Sequence, residues 1–231
     1  LVDPQIDRSQ GRTGAAASKV VLKVVGETTA GPVVRGVKSI GTSAAIADEV
    51  MVWPLPVPQS EQERDHAIAF AIPINSPGLR LVCRSSFAGN GPAADRPLSG
   101  RFDGVDAVLL FDDDVVPWDR VFIYRDVERL KGISRTRMRE LTAHQTNIRL
   151  HSKLEFVYGV LCHMADSMGL DQAAAVQEIL GEAAAGVETA RALVAAAEAA
   201  STEDPGTGYF YPSLQPLQAG RLLGPRIYPR M

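Results

Sequence analysis

Cysteine, histidine, aromatic residues and charge of one sign are all scarce in this 231-residue sequence, and each scarcity excludes something. The two cysteines, Cys83 and Cys162, lie in apolar surroundings on different expected elements. They read as reduced, packed thiols of a cytosolic protein. The four histidines, His66, His144, His151 and His163, form neither an HExxH helix nor a Cys/His cluster, so no metal-ligand spacing exists. With 24 Lys and Arg against 27 Asp and Glu, the net charge is −3, which leaves no electrostatic footprint for nucleic acid. No apolar run approaches the length needed to span a bilayer. The first residues, LVDPQIDRSQGR, lack the apolar core of a signal peptide. A nucleophile elbow and a P-loop are also missing. Gly11-Arg12-Thr13-Gly14 precedes an expected strand rather than a helix, so the dinucleotide fingerprint fails on context.

What remains is an ordinary globular composition, 45% hydrophobic, whose pattern changes part-way along the chain. The stretch SGRFDGVDAVLLFDDDVVPWDRVFIY, residues 99–124, marks the change. Asp103-Gly104 is a turn, residues 105–111 have strand composition, and Asp112-Asp113-Asp114 is expected to expose the chain before Pro117-Trp118 ends regular structure. That acidic triplet could hold a hard cation, but reads as a solvated loop.

Upstream, residues 19–25 and 33–40 read as a hairpin with a five-residue connection, Arg35 and Lys38 interleaving the second strand. Strands are also expected at 46–52, 66–74 and 79–83. The fourth of these five is the clearest: Ile68, Phe70, Ile72 and Ile74 alternate with Ala67, Ala69 and Ala71. Its bulky face packs a core, and its alanine face admits close approach by a second sheet or a flat ligand. Short strands separated by turns argue for an antiparallel barrel or sandwich.

Downstream, Leu150, Leu154, Val157, Leu161, Met164 and Met168 form a helical stripe ended by Gly169. Asp171 is placed to cap a second, alanine-rich helix reaching about Ala200, with Val176, Leu180, Val187 and Val194 on one side. The proline-rich tail should be extended, with at most a helical turn over 217–223. These two helices need further helices to bury their remaining faces. The chain thus divides into a β domain, 1–124, and part of a helical bundle, 125–231. His144 and His151, seven residues apart, share a helix face and read as ordinary partly buried histidines.

One loop is chemically richer than the rest. Gln5-Ile6-Asp7-Arg8-Ser9 sets an amide, a carboxylate, a guanidinium and a hydroxyl beside a proline turn, a set able to hydrogen-bond a heterocycle and its phosphates.

Several segments, taken together, resemble one family: DPQIDRS, GTSAAIADEV, HAIAFAIPINSPGLRLVCR, PLSGRFDGVDAVLLFDDDVVPWDRVFIY and HQTNIRLHSKLEFVYGV. They are similar to the oxygenase component of the two-component, reduced-flavin-dependent phenol hydroxylases, with the 4-hydroxyphenylacetate 3-hydroxylases as type members. The resemblance implies an α+β, acyl-CoA-dehydrogenase-like architecture: a helical N-terminal domain absent from this chain, a β-barrel middle domain, and part of a C-terminal bundle that forms a homotetramer. It implies a cytoplasmic enzyme that hydroxylates a phenol at the ortho carbon with O2. Reduced FAD (FMN being the alternative) comes from a separate NAD(P)H:flavin reductase. Gln5, Ile6, Asp7 and Arg8 match the segment lining the flavin, Thr42 or Ser43 would offer a hydroxyl near its reactive edge, and Arg149 would reach a phosphate from a neighbouring subunit.

Family members carry small hydroxyl residues after the position of Trp53-Pro54. Here Pro54 is followed by Leu55 and Pro56, so the substrate stays open among a phenolic acid, a chlorophenol and a carrier-tethered tyrosine derivative. The family's histidine base precedes the Asp-Pro-Gln segment and would fall ahead of Leu1. Because members extend further at both ends, this chain is expected to be an internal piece. Two rivals stand beside this reading: an acyl-CoA dehydrogenase-like flavoenzyme, and a non-catalytic β-plus-helix assembly module.

Overall fold

The computed structural model describes residues 1–4, 17–87, 89, 91–132 and 136–231. The chain packs as two units, Leu1–Gly132 and Ile133–Met231.

The first unit is built from two antiparallel sheets. A short helix α1 (Ala17–Val20) leads into β1 (Lys23–Glu27), and a tight turn into β2 (Pro32–Thr42). Next come β3 (Glu49–Val52), β4 (Ile68–Pro73), β5 (Leu79–Cys83), β6 (Asp106–Val115) and β7 (Val121–Tyr124), then a short helix α2 (Val127–Lys131). One sheet has the order β1-β2-β6-β5 and the other β3-β4-β7. Their inner faces share a core in which Val34, Leu109 and Phe111 of the first meet Val52, Ile68, Phe70 and Ile72 of the second. Phe70 and Phe111 pack edge to face, ring centroids 5.8 Å apart. Among the described residues no ladder joins the two sheets, so the layer is an open sandwich where a barrel was expected. The chain leaves one sheet for the other at Pro117, which has no N–H to continue a ladder.

The alternation read in 66–74 is present, with Ile68, Phe70 and Ile72 buried in the shared core. The alanine face packs against α2 rather than a second sheet. Ala67 and Ala69 pack with Ile123 and with Val127 and Leu130 of α2, beside Trp53 and Val57. The first expected strand begins later than the sequence suggests, since α1 takes residues 17–20. The acidic triplet stays within β6 rather than opening into a loop. Asp113 pairs with Arg35 of β2 and Asp112 lies 3.7 Å from Arg80 of β5, so cross-strand cations keep the strand intact. Asp114 is buried and accepts hydrogen bonds from Ser76 Oγ at 2.8 Å and the Gly78 amide at 3.2 Å. Cys83 is free and exposed rather than packed, at the end of an edge strand, and Cys162 is free and half-buried.

The second unit is helical. α3 (Met138–Ser167) and α4 (Ala174–Ala199) are the two long helices expected, and α5 (Leu214–Ile227) is much longer than the single turn anticipated for the tail. Pro216 falls in the first turn of α5, where its missing N–H costs nothing. Gly169 takes a left-handed φ of 64° after α3, as its capping role requires. Ala173, not Asp171, precedes α4 as its N-cap.

The buried stripe of α3 differs from the one read in sequence. Ala143, Asn147, Leu154 and Ala165 are buried, whereas Met164 and Met168 are exposed. Small residues explain it, because they let helices approach closely. A Cβ on Gly220 of α5 would stand 1.8 Å from Asn147 Oδ1, and one on Gly224 would stand 2.8 Å from Leu150 Cδ2. Asn147 Nδ2 donates to the carbonyls of Ala143 and Leu217, tying α3 to α5.

Candidate functional site

Three segments meet at one end of β2. The N-terminal segment docks first: Val2 and Ser39 exchange backbone hydrogen bonds of 3.0 and 2.8 Å. The Asp3 amide then donates to the Leu55 carbonyl at 2.9 Å, which brings the loop after β3 alongside. Lys38, on the inward face of β2, closes the junction. Its ammonium lies 2.6 Å from Asp3 Oδ1 and 3.3 Å from the Trp53 carbonyl oxygen. Both charged side chains are buried, 2% exposed for Lys38 and 8% for Asp3. A lysine can stay charged here because a carboxylate and a carbonyl replace its water. Sequence reading took Lys38 as a polar residue interleaving a strand. Its parity with the buried Val34 and Gly36 was the available signal.

Thr42 and Ser43 lie a few residues further along, where β2 ends. Ser43 adopts a left-handed φ of 63°, and its amide donates to the Val105 carbonyl at 3.1 Å. Its hydroxyl makes no hydrogen bond among the described residues. A Cβ on Gly104 would come within 2.7 Å of Ser43 Oγ, so glycine there keeps the space beside that hydroxyl clear. Thr42 Oγ1 donates to Asp106 Oδ1 at 2.5 Å.

Asp106 belongs to an ionic cluster that organises the long loop between β5 and β6. Arg84 grips Asp103 through both terminal nitrogens, at 3.2 and 2.5 Å, and approaches Asp106 Oδ2 at 3.4 Å through Nε. Asp103 also accepts from the Phe87 amide at 2.8 Å and Ser86 Oγ at 3.1 Å. The Arg84 hydrogen bond, followed by that of the Phe87 amide, holds the Asp103 carboxyl down at about 2. Asp106 is lowered as well, chiefly by the Thr42 hydroxyl and then by Arg84.

A carboxylate with a depressed folded-state pKa stabilises the fold above its unfolded value. That contribution is lost as pH falls through the folded value. The Asp103 anchor should therefore persist until pH approaches about 2. Arg84→Met should raise the Asp103 midpoint toward the ordinary carboxylate value of about 3.9. A carbon-detected NMR titration of the aspartate carboxyls reads this directly, and an unmoved midpoint would show that Arg84 is not its main cause.

The remaining sequence-derived candidates are distributed as follows. Gln5, Ile6, Asp7 and Arg8 lie outside the described residues; Pro4, just before them, is half-buried. Pro54 is buried and Leu55 exposed in the docked loop. Arg149 is exposed on α3 of the second unit and makes no ion pair among the described residues. None of the four histidines belongs to the three segments. His66 is buried with Nδ1 2.9 Å from the Leu22 carbonyl oxygen, His144 Nε2 lies 2.8 Å from Glu198, His151 lies 3.7 Å from Glu155, and His163 is exposed on α3. Among the described residues no acidic, histidine or cysteine cluster could hold a metal ion, and no helix is long and apolar enough to cross a membrane.

This geometry can be set against known proteins. The family model described as "4-hydroxyphenylacetate 3-hydroxylase N terminal" matches residues 1–123, and the corresponding C-terminal model matches residues 132–231. The chain belongs to the 4-hydroxyphenylacetate 3-hydroxylase family. The oxygenase component of 4-hydroxyphenylacetate 3-monooxygenase from Thermus thermophilus is 36% identical, over all of this chain and 48% of that protein. A crystal structure of such an oxygenase component (HpaB), complexed with FAD and 4-hydroxyphenylacetate, superposes with a TM-score of 0.89. It is 35% identical, over 100% of this chain and 48% of that one. A probable acyl-CoA dehydrogenase from Mycobacterium abscessus is 17% identical, with a TM-score of 0.63 over 99% of this chain and 55% of that one. It shares the fold, as the acyl-CoA-dehydrogenase-like expectation requires. The chain spans about half the length of the family relatives it matches.

Proposed function

We propose that the whole protein hydroxylates a phenol at the carbon ortho to its hydroxyl, using O2 and reduced FAD from a separate NAD(P)H:flavin reductase. The observation that carries this reading is the junction at the end of β2. There the segment leading into Gln5–Arg8 and the Trp53–Leu55 loop are tied to each other and to Lys38 and Ser39 of β2 by direct hydrogen bonds, a few residues before the Thr42–Ser43 turn. These are the segments that the family resemblance assigns to flavin and substrate.

The residues fit a flavin. The Ser43 hydroxyl has an open side that a Gly104 Cβ would fill, and among the described residues Trp53 Nε1 is buried without a hydrogen-bond partner. Both suit the polar edge of a flat heterocycle. Bound reduced flavin supplies the two electrons with which one oxygen atom of O2 enters the ring and the other leaves as water. The protein's part is to hold and orient. Thr42 and Ser43 would face the flavin's reactive edge, Gln5 to Arg8 would line it, and the exposed Arg149 would meet a phosphate from a neighbouring subunit of a homotetramer. Pro54 and Leu55 would border the phenol. Leu55 in place of a hydroxyl residue favours a less polar ring substituent at that point. Free thiols at Cys83 and Cys162 suit the reducing cytoplasm.

The whole protein, given a flavin reductase, NADH, FAD and 4-hydroxyphenylacetate, should form a catechol. FMN in place of FAD should support less turnover. Oxidation of an acyl-CoA without hydroxylation would transfer the chain to the acyl-CoA dehydrogenase reading. Absence of any reduced-flavin affinity would leave a non-catalytic assembly module.

A further inference from the structure

We propose that Asp106 is a positioning residue that makes the Thr42 hydroxyl a hydrogen-bond acceptor toward the flavin, so that the site discriminates between the two redox states of the cofactor. This rests on the flavin reading above, which sets Thr42 and Ser43 at the reactive edge, and deepens it. Three observations carry it. First, Thr42 and Asp106 stand opposite one another as the last rung of the β2–β6 ladder, with Thr42 Oγ1 2.5 Å from Asp106 Oδ1. Second, Arg84 holds Asp106 from the neighbouring strand. Its amide donates to the Asp106 carbonyl at 3.1 Å, and its Nε approaches Oδ2 at 3.4 Å. Third, the adjacent Ser43 hydroxyl makes no hydrogen bond among the described residues, and both side chains flank Gly104.

The direction of the Thr42 bond follows from the chemistry of its partner. An ionised carboxylate can only accept, whereas a hydroxyl has one proton and two lone pairs. Asp106 is ionised at neutral pH, since the Thr42 hydroxyl and then Arg84 hold its carboxyl below the usual range. The single Thr42 proton is therefore committed to Asp106. Thr42 is exposed, and the open side of its oxygen offers lone pairs alone. Ser43 keeps a proton to donate. The turn thus presents an acceptor and a donor on neighbouring residues.

That pair matches one redox state of a flavin better than the other. The reduced ring carries a hydrogen on N5 beside the C4 carbonyl oxygen, a donor next to an acceptor. The oxidised ring has a bare lone pair at N5, which would oppose the lone pairs of Thr42. A threonine free to rotate would serve both states alike. Asp106 removes that freedom without touching the cofactor. A site fed by a separate reductase gains from it, because the reduced form is taken up and the oxidised form let go.

The test measures dissociation constants of reduced and oxidised FAD in the whole protein, the reduced form without oxygen present. Asp106→Ala frees the Thr42 proton, and the preference for reduced FAD should fall by roughly tenfold, the size of one hydrogen-bond mismatch. Thr42→Val removes the acceptor and should lower the preference to a similar extent. Thr42→Ser keeps the hydroxyl and its bond to Asp106, and should keep the preference. Asp106→Ala combined with Thr42→Val should lower it no further than Thr42→Val alone, because Asp106 acts through Thr42. In the flavin-free protein, Thr42→Val should raise the titration midpoint of the Asp106 carboxyl, read by carbon-detected NMR.

An Asp106→Ala protein with the wild-type preference would overturn the proposal. So would a double variant in which the two single effects multiply, since Asp106 would then act through the fold of the loop and not through Thr42. An Asp106 midpoint unmoved by Thr42→Val would show that Thr42 is not its donor, with the same consequence. Should Asp106→Ala fail to fold, Thr42→Val and Thr42→Ser decide, because both leave the Arg84 contacts in place; equal preferences in those two proteins would contradict the assignment. If the wild-type protein binds neither form of FAD, the flavin reading falls and the proposal with it. Wild-type binding of both forms with equal affinity overturns the proposal alone.

Discussion

Replacing Lys38 by methionine alone should destabilise the first unit by about 3–5 kcal/mol. The cost comes from the partner. The Asp3 side chain is 8% exposed, and the variant removes the ammonium 2.6 Å away that offsets its burial. Losing both charges is a different matter, because transferring two ions out of water is itself expensive. Lys38→Met with Asp3→Asn should therefore recover most of the loss. Amide exchange of β2 under mild denaturant measures the effect locally, without assuming that the whole protein unfolds in one step. Equal losses in the single and double variants would mean that packing of the lysine stem, and not the ion pair, sustains the junction.

Gly36→Ala should be at least as damaging to the same strand. Gly36 has a φ of 133°, a conformation that L side chains rarely adopt. A Cβ would stand 2.5 Å from Leu22 Cα and 2.6 Å from Leu22 N. These are backbone atoms at the crossing where Val21 bridges Val37, so no side chain can swing aside. Strain of about 1–3 kcal/mol adds to an overpacking cost of about 1–3 kcal/mol. The register of β2 against β6 already shifts between Val34 and Gly36, so the strand has a bulge there to disturb. Since Lys38 and Thr42 follow on the same strand, the site should suffer together with the stability. A soluble Gly36→Ala protein with wild-type exchange in β2 would show that the crossing is looser than the structure has it.

How much of this was legible in the sequence depends on whether the signal was local. The β4 pattern of isoleucine and phenylalanine against alanine declared both its period and its faces. The partner of the alanine face, α2, could not be read, because Val127 and Leu130 lie some sixty residues away in sequence. Helices α3 and α4 followed from period and composition, whereas α5 was hidden by its prolines. Pro216 is harmless in a first turn, but that depends on where the helix begins. The acidic triplet misled for a related reason. Three aspartates read as a loop until Arg35 and Arg80 are set on the adjacent strands.

The site divides the same way. Thr42, Ser43, Pro54 and Leu55 were proposed through motif resemblance. Lys38 escaped, since a lysine in a strand reads as a solvent-facing residue unless its carboxylate, thirty-five positions earlier, is known to be buried beside it. Arg84, Asp103 and Asp106 escaped too, because only the fold brings Arg84 to the two aspartates and Asp106 to the Thr42 hydroxyl.

The most direct test of the flavin site is a crystal structure of the whole protein with FAD and a phenol. The flavin ring should lie against residues 5–8 with its reactive edge toward Thr42 and Ser43, and the phenol should lie beside Pro54 and Leu55. A flavin bound away from the end of β2, or in contact with none of those residues, would contradict the assignment.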